Sequence, residues 1–147
     1  MPKRYTYRKA TAEELASGSP KMILISEDYV DDFQSLEEAI NFKKDQIDKR
    51  TQELIFEGFS FAGLHWSLSI NAQINWINLP QLPEIVFPLA IQDINGNNYN
   101  LEYSDRMNFY YTSVNIKNTH LQSGNALKKQ ILQLTTIEEV ISFLDPR

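Results

Sequence analysis

The chain has 147 residues, a formal net charge of -5, two histidines and no cysteine. The missing cysteines exclude disulfides, thiolate metal sites and cysteine nucleophiles. The acidic balance, with basic pairs no longer than Lys3-Arg4 and Lys128-Lys129, argues against a nucleic-acid partner, and no apolar run approaches the roughly 20 residues a membrane helix needs.

The opening MPKRYTYRKA has charges with no apolar segment behind them, which is not a signal-peptide pattern. Within it, residues 4–10 alternate large and polar side chains and predict a short strand. Thr11 followed by Glu14 is a capping-box spacing, and Gly18 and Pro20 stop that helix. KMILISEDY (21–29) predicts a second strand, apolar enough from Met22 to Ile25 to be covered on both faces, with an acidic connector to residue 33.

Residues 35–57 predict a long helix: Ser35 and Glu38 form a second capping-box spacing, and Gly58 stands where a C-terminal cap belongs. Phe33, Ile40, Ile47 and Leu54 repeat every seven residues, with Leu36 beside them, but Lys43, Arg50 and Glu57 occupy the other seam positions. So thin a stripe suits a helix lying along its own domain; the competing reading is a short bundle of identical helices.

EGFSFAGLHWSLS sets Phe59 and Phe61 against Leu64, Trp66 and Leu68 across Ala62-Gly63, a hairpin signature. Ile70, Ile74 and Ile77 fall at helical spacing before Pro80 and predict a short helix. Residues 81–90 carry two of the closely spaced prolines and read as an extended connector. Asn95-Gly96 between apolar runs predicts a second hairpin turn. Ser104-Asp105 open a helix whose inner face is Met107, Tyr110 or Tyr111, Val114 and Leu121, broken at Ser123-Gly124-Asn125. Leu127, Ile131 and Leu134 carry the next helix. Thr135 with Glu138 is a third capping-box spacing, before a last apolar set of Ile137, Val140, Ile141 and Leu144. Strands and helices come in runs without βαβ alternation, so the fold class is α+β. The expected organisation is an N-terminal docking arm (1–34), a long helix (35–57) and an α+β domain (58–147).

Chemistry is sparse. Counted from Asp93, the sixth and twelfth positions are Asn98 and Ser104, where a calcium loop of the EF-hand type needs Gly and Glu. His65 and His120 are 55 positions apart and share no metal-binding spacing; His65 beside Trp66 reads as a satisfied or exposed surface residue. The acidic pairs Asp31-Asp32, Glu37-Glu38 and Glu138-Glu139 suit capping turns and helix N-termini. No nucleophile elbow and no phosphate-cradling glycine loop is present. We therefore expect no catalytic residue, no metal and no cofactor. Aromatic residues remain. Trp66 belongs to the hairpin core by alternation, while Tyr110 and Tyr111 cannot both face inward on one helix, so at least one lies at a rim. The candidate partner contacts are Tyr110, Tyr111, Trp76, Phe33, Ile40 and Ile47.

DKRTQELIFEGFSFAGLHWSLSINAQINW, DINGNNYNL and LKKQILQLTTIEEVISFL together resemble a C-terminal domain of unknown function found in bacteriophage tail and tail-fibre proteins. The likeness covers residues 45 to 144. It rests on Arg50, on Gly58, Phe59, Phe61 and Gly63, on Ala72 and Gln73, on Gly96, and on Leu127, Ile131, Thr135, Thr136, Glu138 and Glu139. The resemblance implies a non-enzymatic virion protein of the tail, baseplate or fibre-attachment region, made in the host cytoplasm. Its partners would be other tail or fibre proteins, or further copies through the long helix. Two alternatives share the profile: a fibre-assembly chaperone absent from the virion, and a carbohydrate-binding receptor-recognition component using the tyrosines and Trp76.

Overall fold

A computed structural model describes residues 3–18, 22–29 and 33–147, with the side chains of the first two strands outside the description. The fold is α+β, and its described strands form three separate two-stranded antiparallel sheets. The chain divides into two compact units: Met1–Arg50 with Asn125–Arg147, and Thr51–Gly124. This division differs from the boundaries at residues 34 and 57 that the sequence suggests. It falls inside two long helices, because a helix of many turns carries one apolar stripe near each end and can serve a different core with each.

In the first unit, β1 (Lys3–Lys9) pairs with β2 (Met22–Tyr29), with a register shift between Thr6 and Tyr7. Between them lies α1 (Ala12–Ala16), whose N-cap Thr11 exchanges hydrogen bonds with Glu14 as the spacing predicts. The expected stop at Pro20 and the pair Asp31-Asp32 lie outside the described residues. Helix α2 (Leu36–Phe56) begins with the Glu38 amide donating to Ser35 Oγ, while the Glu38 carboxylate reaches back one residue further than a capping box, to the Gln34 amide. The unit's core is Ala39 and Ile47 of α2 with Leu127, Ile131 and Val140, and Phe33, Leu36 and Ile40 pack against it. Of the thin heptad stripe, Ile47 is therefore buried within this unit, with Phe33, Leu36 and Ile40 half-buried against the same core. Lys43, a seam position, points its ammonium at the carbonyls of Ile141 and Phe143, 3.2 and 2.9 Å away.

Helix α5 (Ile137–Ser142) closes this unit. Its capping box is Thr136 with Glu139, one residue beyond the Thr135–Glu138 pair that the sequence suggests. The five-residue run TTIEE offers both registers. Burying Val140 selects the one used, since it sets Val140 on the inner face with no exposed area.

In the second unit, β3 (Phe59–Phe61) and β4 (Leu64–Trp66) form the expected hairpin about Ala62-Gly63, both with positive φ. Helix α3 (Ile70–Ile77) follows from the N-cap Ser69. The proline-rich stretch is not extended throughout: it makes two 3-10 turns, Leu79–Gln81 and Glu84–Val86. Strands β5 (Leu89–Gln92) and β6 (Asn98–Leu101) then pair, with Gln92 opposite Asn98. Their turn runs from Asp93 to Asn97 instead of closing tightly on Asn95-Gly96. The reason is the Asp93 carboxylate, which accepts from the amides of Asn95 and Asn97 at 2.9 and 2.7 Å and from the Asn97 side chain at 2.9 Å. Asp93 is buried by this wrapping, so the turn is an Asx-type loop that the residue supplies from its own side chain.

Helix α4 (Arg106–Ile131) is continuous through Ser123-Gly124-Asn125, where the sequence suggests a break. A single interior glycine costs about 1 kcal/mol relative to alanine, and packing along a helix of this length outweighs it. Gly124 itself is buried. The inner face of α4 in this unit is Phe109 and Ser113 with Ile116 beside them, one position round from the expected Met107, Tyr110, Val114 and Leu121.

Candidate functional site

The second unit is organised around Phe109, which has no exposed area. Its ring meets those of Phe59, Phe61 and Trp66 at 5.1 Å and Trp76 at 4.8 Å, all nearly edge-on. Edge-to-face contacts of this kind add to simple area burial, because a positive ring edge meets a negative face. Trp66 donates from Nε1 to the Phe61 carbonyl at 3.0 Å, and Trp76 to the Ser67 carbonyl at 2.9 Å. Both indole N–H groups are thus satisfied within the unit. His65 directs Nε2 at the Glu57 carbonyl, a structural use that matches its reading as a satisfied residue.

The requirement to place Trp76 and Ala72 inward decides the orientation of α3. A helix can bury one face only, and the isoleucines lie on another. Ile70, Ile74 and Ile77 are 64%, 56% and 61% exposed, although their spacing predicts the inner face. Three β-branched aliphatic residues in a row on a solvent face are costly to solubility, and such a contiguous patch marks an interaction surface.

The α3 isoleucines form one wall of a groove of about 530 Å³. The facing wall is α4, through Tyr110, Val114, Lys117 and Leu121, spaced by four, three and four residues and so on one helical face. Leu68, Trp76 and Ser113 also line it. The single cation in this lining, Lys117, donates to the Gln73 side-chain oxygen at 2.6 Å, and Gln73 in turn donates to the Leu68 carbonyl at 2.8 Å. The lining contains no carboxylate. The groove can therefore bind apolar side chains and, at Lys117, a hydrogen-bond acceptor.

Of the six residues singled out from sequence, the structure brings two, Tyr110 and the edge of Trp76, into the groove lining. Tyr111 is 53% exposed, its ring centroid 5.5 Å from that of Tyr110. Ile47 is buried in the first unit's core, with Ile40 and Phe33 packed on it, so these three face inward within their own unit. The isoleucine stripe, Lys117 and Leu121 were not singled out. The stripe's spacing is visible in the sequence, but spacing gives a helix face and not the direction it points.

A second, polar depression in the first unit is lined by Lys44, Asp45, Asp48, Lys128 and Lys129 among others. Two of its charges meet each other: Lys128 and Asp48 form an ion pair at 2.7 Å. Among the described residues no group of three His, Cys, Asp or Glu converges, and no helix is long and apolar enough to cross a membrane. Comparisons of the chain with protein-family models, with curated proteins and with solved structures gave no match.

Proposed function

We propose that this protein is a non-enzymatic assembly subunit that works through protein contacts on the α3–α4 groove. The observation that carries this reading is the solvent-facing Ile70-Ile74-Ile77 stripe, set on a helix whose other face is buried. The assembly we favour is a bacteriophage tail, baseplate or fibre-attachment structure, on the resemblance of residues 45 to 144. The groove adds a reason that the resemblance lacks: an apolar surface held open by a rigid aromatic core is what a subunit needs in order to dock without refolding.

Ile74→Asp separates docking from folding. Because Ile74 is more than half exposed, the change should alter stability by no more than about 0.5 kcal/mol. Proteomics of gradient-purified particles should find the wild-type protein in stoichiometric amount and the variant depleted. Particles that lack the wild-type protein would reject the virion reading, and undiminished incorporation of the variant would remove the groove from it.

A further inference from the structure

We infer that the occupant of the α3–α4 groove is an amphipathic helix of a partner protein that carries a carboxylate beside its apolar stripe. The inference rests on the assembly reading and gives the partner its chemistry.

Both walls of the groove are helices. Each presents a row of side chains at three- and four-residue spacing: Ile70, Ile74 and Ile77 on one side, and Tyr110, Val114, Lys117 and Leu121, apolar except for Lys117, on the other. Rows of that period leave grooves that match the ridge of a third helix, whose own side chains recur at the same intervals. An extended strand, with side chains alternating every second residue, would meet this surface out of step.

Charge selects among helices. Lys117 is the only ionic group in the lining, and its ammonium donates to a neutral amide oxygen. A docking helix removes water from Lys117. One that brings an Asp or Glu to it supplies a charge-assisted hydrogen bond in return, whereas one that brings Lys or Arg leaves two like charges in a drying site. The groove thus accepts an acidic amphipathic helix and disfavours a basic one.

The test is a selection of displayed random 18-residue peptides on the intact protein, with counter-selection on Ile74→Asp. Selected sequences should share an apolar period of three to four residues and one fixed acidic position, and should become helical on binding. Lys117→Glu should weaken them by about tenfold and, in a repeat selection, should turn the fixed position basic. Circular dichroism and thermal melts confirm that both variants fold. Binders without a helical period, binders indifferent to Ile74→Asp, or a fixed position unchanged by Lys117→Glu would overturn the inference. So would wild-type dimerisation abolished by Ile74→Asp, which would give the groove to a second copy. If peptides fail while particle incorporation still depends on Ile74, the assembly reading stands and the helical occupant falls; acidic helices that bind a protein missing from particles give the reverse.

Discussion

Gly58 offers the sharpest test of how the second unit is held together. It follows α2 with a φ of +85°, and its amide donates to the Ile55 carbonyl at 3.0 Å. A Cβ added there would be driven into the Trp66 carbonyl oxygen, and would lie 3.1 Å from the carbonyl carbon and 3.2 Å from His65 Nε2. Two costs combine in Gly58→Ala. The left-handed backbone costs an L-residue about 1–2 kcal/mol. The clash is with main chain of a paired strand, Phe59 standing opposite Trp66, so relief requires moving the hairpin, an overpacking cost of about 1–3 kcal/mol. We expect a loss of about 3–4 kcal/mol. Gly63→Ala is the control: its φ is +74°, but an added Cβ meets nothing within 4 Å, so only the backbone cost of about 1–2 kcal/mol applies. Both tryptophans lie in this unit, so urea titrations followed by tryptophan emission read the right transition. For a chain of this length the Gly58→Ala loss corresponds to a fall of about 6–15 °C in Tm. Equal losses for the two variants would refute the argument, because the steric term would then be nil.

Phe109→Ala should cost about 3–5 kcal/mol and shift tryptophan emission to the red, since four aromatic rings lose their common neighbour; a loss under about 1 kcal/mol would show that the cluster repacks freely. Thr136→Ala should lower stability by about 1 kcal/mol in calorimetry, and Thr135→Ala by clearly less, because Thr136 Oγ1 accepts from the Glu139 amide while Thr135 contributes chiefly a backbone amide that alanine retains. The Asp93 carboxyl is held below its ordinary value of 3.8, first by the hydrogen bond from the Asn97 side chain and then by the turn's amides. Its contribution to stability is thus fully present above that value and is lost as pH falls through the lower, folded pKa. The Asn95 and Asn97 amides should keep slow hydrogen exchange from neutrality to about pH 4 and lose it only in stronger acid, relative to exchange of an unstructured chain at the same pH. Protection lost by pH 5 would contradict that assignment.

How much of this was legible beforehand follows from the range of each interaction. The Thr11–Glu14 box, the Ala62-Gly63 turn and the Gly58 cap each depend on residues within a few positions of one another, and the structure has them where the sequence places them. The α5 box shows the limit of local reading: Thr135 and Thr136 both stand three residues before a glutamate, and only the burial of Val140 chooses between them. At Gly124 a local break signal met a long helix and lost.

The sequence by itself determined the class of the fold, the places where the chain turns and most helix ends, because these depend on backbone geometry and neighbouring hydrogen-bonding groups. Tertiary structure alone decided which face of α3 is turned outward. Isoleucine, tryptophan and alanine are all apolar, so the hydrophobic pattern of INAQINWI has two candidate inner faces. The aromatic cluster around Phe109 accepts Trp76, whose indole N–H finds the Ser67 carbonyl, and the isoleucines are left at the surface by that choice. The groove exists because a preference for one ring in the core outweighed three exposed aliphatic side chains, a comparison between distant residues that no local spacing contains.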